Sequence, residues 1–222
     1  MEIVLNNASN FNLMRQLLND LDYITLSYQY DSSKASDYRG NNTIITGDDS
    51  SQHYQFELLT NKIQELDEAV LKMGYECWNN IIIDIRTPSK WSEIGGLSNI
   101  IGTSPEAIEA LKTIRQKYED KQVIVAIMNS GQLFFDYPME LTELIYQITS
   151  DPNSHLLMAT GDVSGMDCLT SDVVNCFENR IVFQTENPMF SNMLIGNDEA
   201  THLPSPDHYC QYSTKTNQII IV

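Results

Sequence analysis

Residues 42–54 read N-T-I-I-T-G-D-D-S-S-Q-H-Y. A short apolar run, Thr43 to Thr46, leads into Gly47. Beyond Tyr54, apolar residues recur every three or four positions: Phe56, Leu59, Ile63, Leu66, Val70 and Met73. This spacing predicts an amphipathic helix, with Gly74 placed to stop it. The segment is thus a buried strand, a glycine turn and a long helix in direct succession.

Such a junction is where the phosphate-binding pattern G-x-x-x-x-G-K-[S/T] would sit. Laid over it, Gly47 is kept and Asp48, Asp49, Ser50 and Ser51 fill the variable positions. Gln52 stands where the second glycine belongs, His53 replaces the lysine and Tyr54 replaces the hydroxyl residue. A glycine there lets successive N–H groups converge on phosphate, and a residue with a Cβ resists those dihedrals. The lysine carries a fixed charge, whereas an ordinary histidine is mostly neutral at pH 7. A phenol is a poor substitute for the small hydroxyl that binds Mg²⁺. Asp48 and Asp49 add negative charge where a triphosphate would lie, and like charges about 5 Å apart repel by roughly 3 kcal/mol at an effective dielectric near 20. Many α/β domains also place a glycine between a strand and a helix, so the stretch alone admits both a worn phosphate loop and a plain turn.

The 222 residues suit one large α/β domain or a core with a small appendage. The composition, 42% hydrophobic and 19% charged, is that of a globular protein, with no run long enough to cross a bilayer. The first five residues are short and acidic and lead into polar ones, so no signal peptide is expected. A net charge of −17 and no clustered Lys/Arg stretch argue against nucleic acid as a partner. Cys77, Cys168, Cys176 and Cys210 form no CxxC pair, as expected of reduced thiols in a cytosol. His202, His208 and Cys210 lie close in sequence, but their spacing matches no zinc pattern. No metal site is expected.

Along the chain, a short helix is expected after Ser9, a strand over 21–30 and a loop over 31–42. Residues 80–86 (N-I-I-I-D-I-R) predict a buried strand with Asp84 near its carboxyl end. That acid could bind Mg²⁺, position a ligand or bond neighbouring backbone groups. Residues 87–103 read as a long irregular loop containing Pro88, Trp91, Gly95 and Gly96. Ser104, Pro105 and Glu106 predict a helix start, with Ser104 as N-cap. Its apolar face is Ala107, Ile108, Leu111, Ile114, the stem of Arg115, and Tyr118. Further strands are expected over 122–128, 155–160 and 180–184, a helix from Pro138, and a hairpin of 209–212 with 219–222. Strands alternating with helices argue for an α/β fold with a parallel sheet covered on both faces.

The order of these pieces resembles the FtsK/SpoIIIE-type motor ATPases, and in particular the last ATPase-like domain of the type VII secretion coupling proteins, the EssC/EccC family. I-I-I-D-I-R-T (81–87) is similar to the family's second strand. V-I-V-A-I-M-N-S (123–130) sits where an apolar strand leads into the Walker B acid pair, here Asn129 and Ser130. H-L-L-M-A-T (155–160) is similar to the sensor strand. N-R-I-V-F-Q (179–184), with Ser191 and 194–196, resembles the next strand and helix, and Arg180 matches an arginine of the family pattern. L-P-S-P-D-H-Y-C-Q-Y (203–212) looks like a worn form of the closing turn and hairpin.

The resemblance implies a P-loop NTPase-like (RecA/FtsK-type) three-layer fold with a mainly parallel central sheet and a C-terminal β-hairpin. It divides one degenerate ATPase-like domain into an extension (1–40), a core (41–200) and a terminal hairpin (201–222). The degenerate Walker A residues would be Gly47, Asp48, Asp49, Ser50, Ser51, Gln52, His53 and Tyr54, and the degenerate Walker B residues Asn129 and Ser130. Phosphoryl transfer depends on positioning and charge stabilisation; without the lysine, the metal hydroxyl and both acids, no catalytic residue and no cofactor is expected, although the family uses ATP and Mg²⁺. The implied role is a non-hydrolysing, cytoplasmic domain of a membrane-anchored secretion motor that recognises secreted substrates, regulates motor assembly or does both, itself making no direct membrane contact. Its implied partners are secreted WXG-type helical substrates and neighbouring ATPase domains, contacted through exposed aromatics, since 11 Tyr and 7 Phe exceed what such a core must use. The alternatives are residual ATP binding or hydrolysis aided by His53, a purely structural interdomain module, and an unrelated hydrolase using Ser130, which lacks a surrounding G-x-S-x-G.

Overall fold

The computed structural model describes residues 42–72, 79–86, 91, 99–118, 122–161 and 169–222. The elements expected before Asn42, the helix stop at Gly74, the Gly95-Gly96 segment, Cys77 and Cys168 lie outside the described residues. The architecture below belongs to the unit 40–222.

Eight strands form one sheet in the order β3-β2-β4-β5-β1-β6-β7-β8. β1 (Thr43–Thr46), β2 (Asn79–Asp84), β3 (Ile100–Ile101), β4 (Val123–Met128), β5 (Ser154–Ala159) and β6 (Asn179–Phe183) run parallel. β7 (Tyr209–Ser213) pairs antiparallel with β6, and β8 (Gln218–Ile221) closes that edge as a hairpin. Every residue of β1, β4 and β5 is buried, which explains their continuous apolar runs. The expected mainly parallel α/β sheet with a terminal hairpin is the one observed.

The two faces have separate cores. α1 (Gln52–Lys72) lays Leu59 and Ile63 on one face, against Ile45, Ile82, Ile124, Leu157 and Trp91. Each such side chain, fully buried, contributes about 1.5–3 kcal/mol. The other face is covered by α2 (Ser104–Lys117), α3 (Ser130–Asp136), α4 (Pro138–Thr149), α5 (Ser171–Val174) and α6 (Pro188–Ile195). Helix, sheet and helix make three layers.

The structure revises several local expectations. β2 stops at Asp84, because its carboxylate accepts the Arg86 N–H (3.2 Å) and turns the chain. β3 lies inside the segment read as a loop; two isoleucines are too few to show a strand period. The N-cap of α2 is Thr103, and Pro105 follows in the first turn. Thr103 Oγ1 donates to Glu106 (2.8 Å) instead of capping backbone. Among the described residues only Phe135 and Tyr146 are clearly exposed aromatics, while Phe134, Phe177, Phe183 and Phe190 are core. The other described aromatics are buried or half-buried.

The sheet also places a site. β1 leaves through α1 on one face, and its neighbour β5 is followed by α5 on the other. Where crossovers from adjacent parallel strands diverge, their carboxyl ends open a crevice. Gly47 follows β1 there, Thr160 and Gly161 follow β5, Asn129 follows β4, and Asp84 ends β2.

Candidate functional site

The turn after β1 is folded onto itself. Asp49–Ser51 form a single 3₁₀ turn before α1. Asp48 O accepts both the Ser51 N–H (2.9 Å) and the Ser51 hydroxyl (2.7 Å). Ser51 is fully buried directly over Gly47. A Cβ on Gly47 would overlap Ser51 Oγ and approach Phe183 Cβ to 2.7 Å, so glycine is required here by close packing. The turn is also strapped to the segment after β6: Asp48 N–H donates to Gln184 O (3.2 Å), and Glu186 N–H donates to the Asp48 carboxylate (2.8 Å). Asp49 and Ser50 face solvent.

The next three residues diverge. Gln52 opens the helix and is half-buried. His53 is 70% exposed and lies 3.3 Å from Glu57 one turn along the same helix. Tyr54 stacks over Phe183 at 6.5 Å, and Phe183 packs against Tyr209 at 5.1 Å. The phenol is therefore part of an aromatic row joining α1 to β6 and β7.

Gln55, which the pattern passes over, is the hub of the site. It is fully buried; its amide donates to Ser51 Oγ (3.0 Å) and Gly161 O (3.1 Å), and its Oε1 accepts the Gly161 N–H (3.2 Å). Beside it the Thr160 hydroxyl donates to Thr46 (2.9 Å), bridging β5 and β1 again. A signal was present: Ser51, Gln55, Leu59 and Ile63 are spaced by four, so the buried stripe of α1 continues into two polar residues.

Asn129 takes the left-handed conformation (φ 57°, ψ 43°) at the start of α3. Its Nδ2 donates to Asp84 Oδ1 (3.0 Å), and Trp91 Nε1 donates to Asp84 Oδ2 (2.7 Å). Asp84 is fully buried; it accepts the expected neighbouring backbone bond from Arg86, and the side chains of Trp91 and Asn129 supply further donors. Gly161 (φ 76°) backs onto Asn129, whose Oδ1 a Cβ would overlap. Ser130 is buried, and its hydroxyl has no hydrogen-bond partner, histidine or other, among the described residues.

Arg180 anchors local structure. Its guanidinium donates to Phe177 O (3.2 Å), Leu194 O (3.1 Å) and Asn175 Oδ1 (3.1 Å), with the Tyr212 ring 5.5 Å away. Cys210 lies in the core, where burial pushes its thiol up to about 11. His202 lies 3.7 Å from Asp198, and His208 contacts Ser205 (2.7 Å) and Asp207 (3.2 Å). Among the described residues no three His, Cys, Asp or Glu converge as metal ligands, and no helix is long and apolar enough to cross a membrane.

No protein-family model matches the chain, and no curated protein sequence matches it. Solved structures do. The cytoplasmic domain of the Thermomonospora curvata type VII secretion ATPase EccC aligns with TM-score 0.55 and 15% identity over 82% of this chain and 25% of that one. The pCW3 conjugation coupling protein TcpA, solved with ATPγS, gives 0.57 and 14% over 82% and 59%. The genome packaging NTPase B204 from Sulfolobus turreted icosahedral virus 2, also with ATPγS, gives 0.55 and 16% over 82% and 96%. This chain spans a quarter of the EccC domain and under two thirds of TcpA. The likeness is one of fold: the chain shares the α/β architecture of these three structures, the EccC domain among them.

Proposed function

We propose that this chain is a non-hydrolysing ATPase-like domain of a type VII secretion motor, which binds secreted helical substrates of the WXG kind and neighbouring ATPase domains. One observation carries this reading. At the crevice where a nucleotide would lie, the polar groups of Ser51, Gln55 and Gly161 are bonded to one another, and those of Asn129 and Asp84 to each other. Phosphoryl transfer relies on fixed positive charge and metal-binding groups aimed at the phosphates. Here the lysine position is an exposed histidine beside Glu57, and the acid pair is an amide and a buried hydroxyl. The fold shared with EccC and the order of the strand motifs support the secretion assignment. Phe135 (78% exposed) and Met139 (82% exposed), four residues apart across the α3–α4 junction, supply apolar surface for a helical partner.

Thermal unfolding with millimolar Mg-ATP tests the nucleotide half. A ligand at a hundred times its Kd would add about 2.7 kcal/mol, which raises Tm by about 5–10 °C for a chain of this size. The expected shift is none; a rise of that order moves the assignment to nucleotide binding. Binding of purified co-encoded secreted proteins tests the cargo half. Binding to sister ATPase domains alone would leave a structural module.

A further inference from the structure

We propose that the Gln55 carboxamide is an internal ligand, locking the carboxyl ends of β1 and β5 into one conformation that nucleotide does not alter. The proposal deepens the non-hydrolysing reading above and rests on it.

A primary amide offers two N–H donors and one carbonyl acceptor. In Gln55 both kinds of group face outward from α1 to partners on other segments. Nε2 lies 3.0 Å from Ser51 Oγ and 3.1 Å from Gly161 O, while Oε1 lies 3.2 Å from Gly161 N. The side chain pairs with the Gly161 peptide at both its ends, as a neighbouring strand would. On the other side it reaches, through Ser51 Oγ, the Asp48 carbonyl that closes the turn after β1. Gly161 backs onto Asn129, which donates to Asp84. The ends of β1 and β5 are thus tied through Gln55, the ends of β4 and β2 through Asn129 and Asp84, and Gly161 packs against Asn129 between the two pairs.

A ligand shifts a conformational equilibrium only by binding one state better than another. Here the bridging groups are supplied by the chain itself, so the contact forms without a bound ligand, and a nucleotide that does not displace the Gln55 amide leaves the strand ends as they are. Removing the amide leaves the Gly161 N–H and C=O buried without their partner, at a cost larger than the hydrogen bonds contribute when made. Gln55 acts through the strand ends and is a positioning residue.

Amide hydrogen exchange of the whole chain, read at Gly161 against the core amides of Val125 and Ile127, tests this. In Gln55→Leu, which keeps the bulk and lacks the amide, Gly161 exchange is expected to rise by about tenfold or more while the β4 amides hold. Gln55→Asn, one methylene too short to span the gap, should do the same and serves if the leucine variant does not fold. Ser51→Ala keeps the Gly161 pair and should leave its exchange within about twofold of the parent. In the parent, millimolar Mg-ATPγS should leave Gly161 exchange unchanged. Unaltered Gly161 protection in a folded Gln55→Leu or Gln55→Asn variant overturns the clamp, as does a change at Gly161 on adding nucleotide. Nucleotide binding detected by calorimetry with Gly161 exchange unchanged would refute the non-hydrolysing reading on its binding side, yet leave the clamp standing.

Discussion

The carboxamide of Asn129 donates to the buried carboxylate of Asp84 across 3.0 Å, tying the end of β4 to the end of β2. An acid at position 129 would replace a donor by a second acceptor at that distance. Asn129→Asp is therefore expected to lower unfolding stability at pH 7 by about 2–4 kcal/mol, from the lost bond and like-charge repulsion. The deficit should shrink as pH falls and the pair shares a proton. Urea unfolding at several pH values measures it. Restoring this one acid should not restore phosphate release, which a coupled assay would detect.

Gly47 has no room for a side chain. Gly47→Ala drives a methyl into Ser51 Oγ and to within 2.7 Å of Phe183 Cβ, and overpacking of this kind costs about 1–3 kcal/mol. Adding Ser51→Ala removes the first overlap and leaves the second. The double variant should recover part of the loss; full recovery in chemical denaturation would mean that β6 yields freely.

His155 on β5 sets an acid limit. Burial holds its imidazole down to about 4, against a partial upward pull from the Asp151 charge. The unfolded chain takes this proton first, near pH 6.5. The contribution is thus full above about pH 6.5 and is lost as pH falls towards 4, amounting to about 3 kcal/mol at most. Unfolding free energies measured between pH 7 and pH 4 should fall less steeply in His155→Leu than in the parent.

Arg180→Lys tests the anchoring role. A lysine cannot span the three acceptors on Phe177, Leu194 and Asn175, so at least one buried carbonyl loses its donor. Stability should drop by about 1–3 kcal/mol. Equal stability in thermal and urea unfolding would show that the fork is dispensable.

Much of the fold was legible because buried parallel strands and helix faces leave long-range patterns. The runs 43–46, 122–128 and 155–160 read as strands since both sides of each are mainly apolar, and the spacing of Leu59 and Ile63 predicted which side of α1 is covered. Brief elements were not legible. Ile100–Ile101 is a strand only because Ile82 and Ile83 lie beside it, and α3 and α5 are too short to show a helical period. Among the described residues the aromatic count overstated exposure, since burial depends on layer geometry that composition does not carry.

The replacements at 52–54 and 129–130 were plain from the amino acids alone, because charge and side-chain size belong to the residue. What fills the crevice was not. Gln55, Gly161, Asn129 and Asp84 are spread over 106 positions between the first two and 45 between the last two, and only the strand order, with β5 between β1 and β4, brings their hydrogen-bonding groups within 3.2 Å of a partner. Hydrogen bonding is a short-range force: residue type determines what each group can donate or accept, and the folded sheet decides which groups meet.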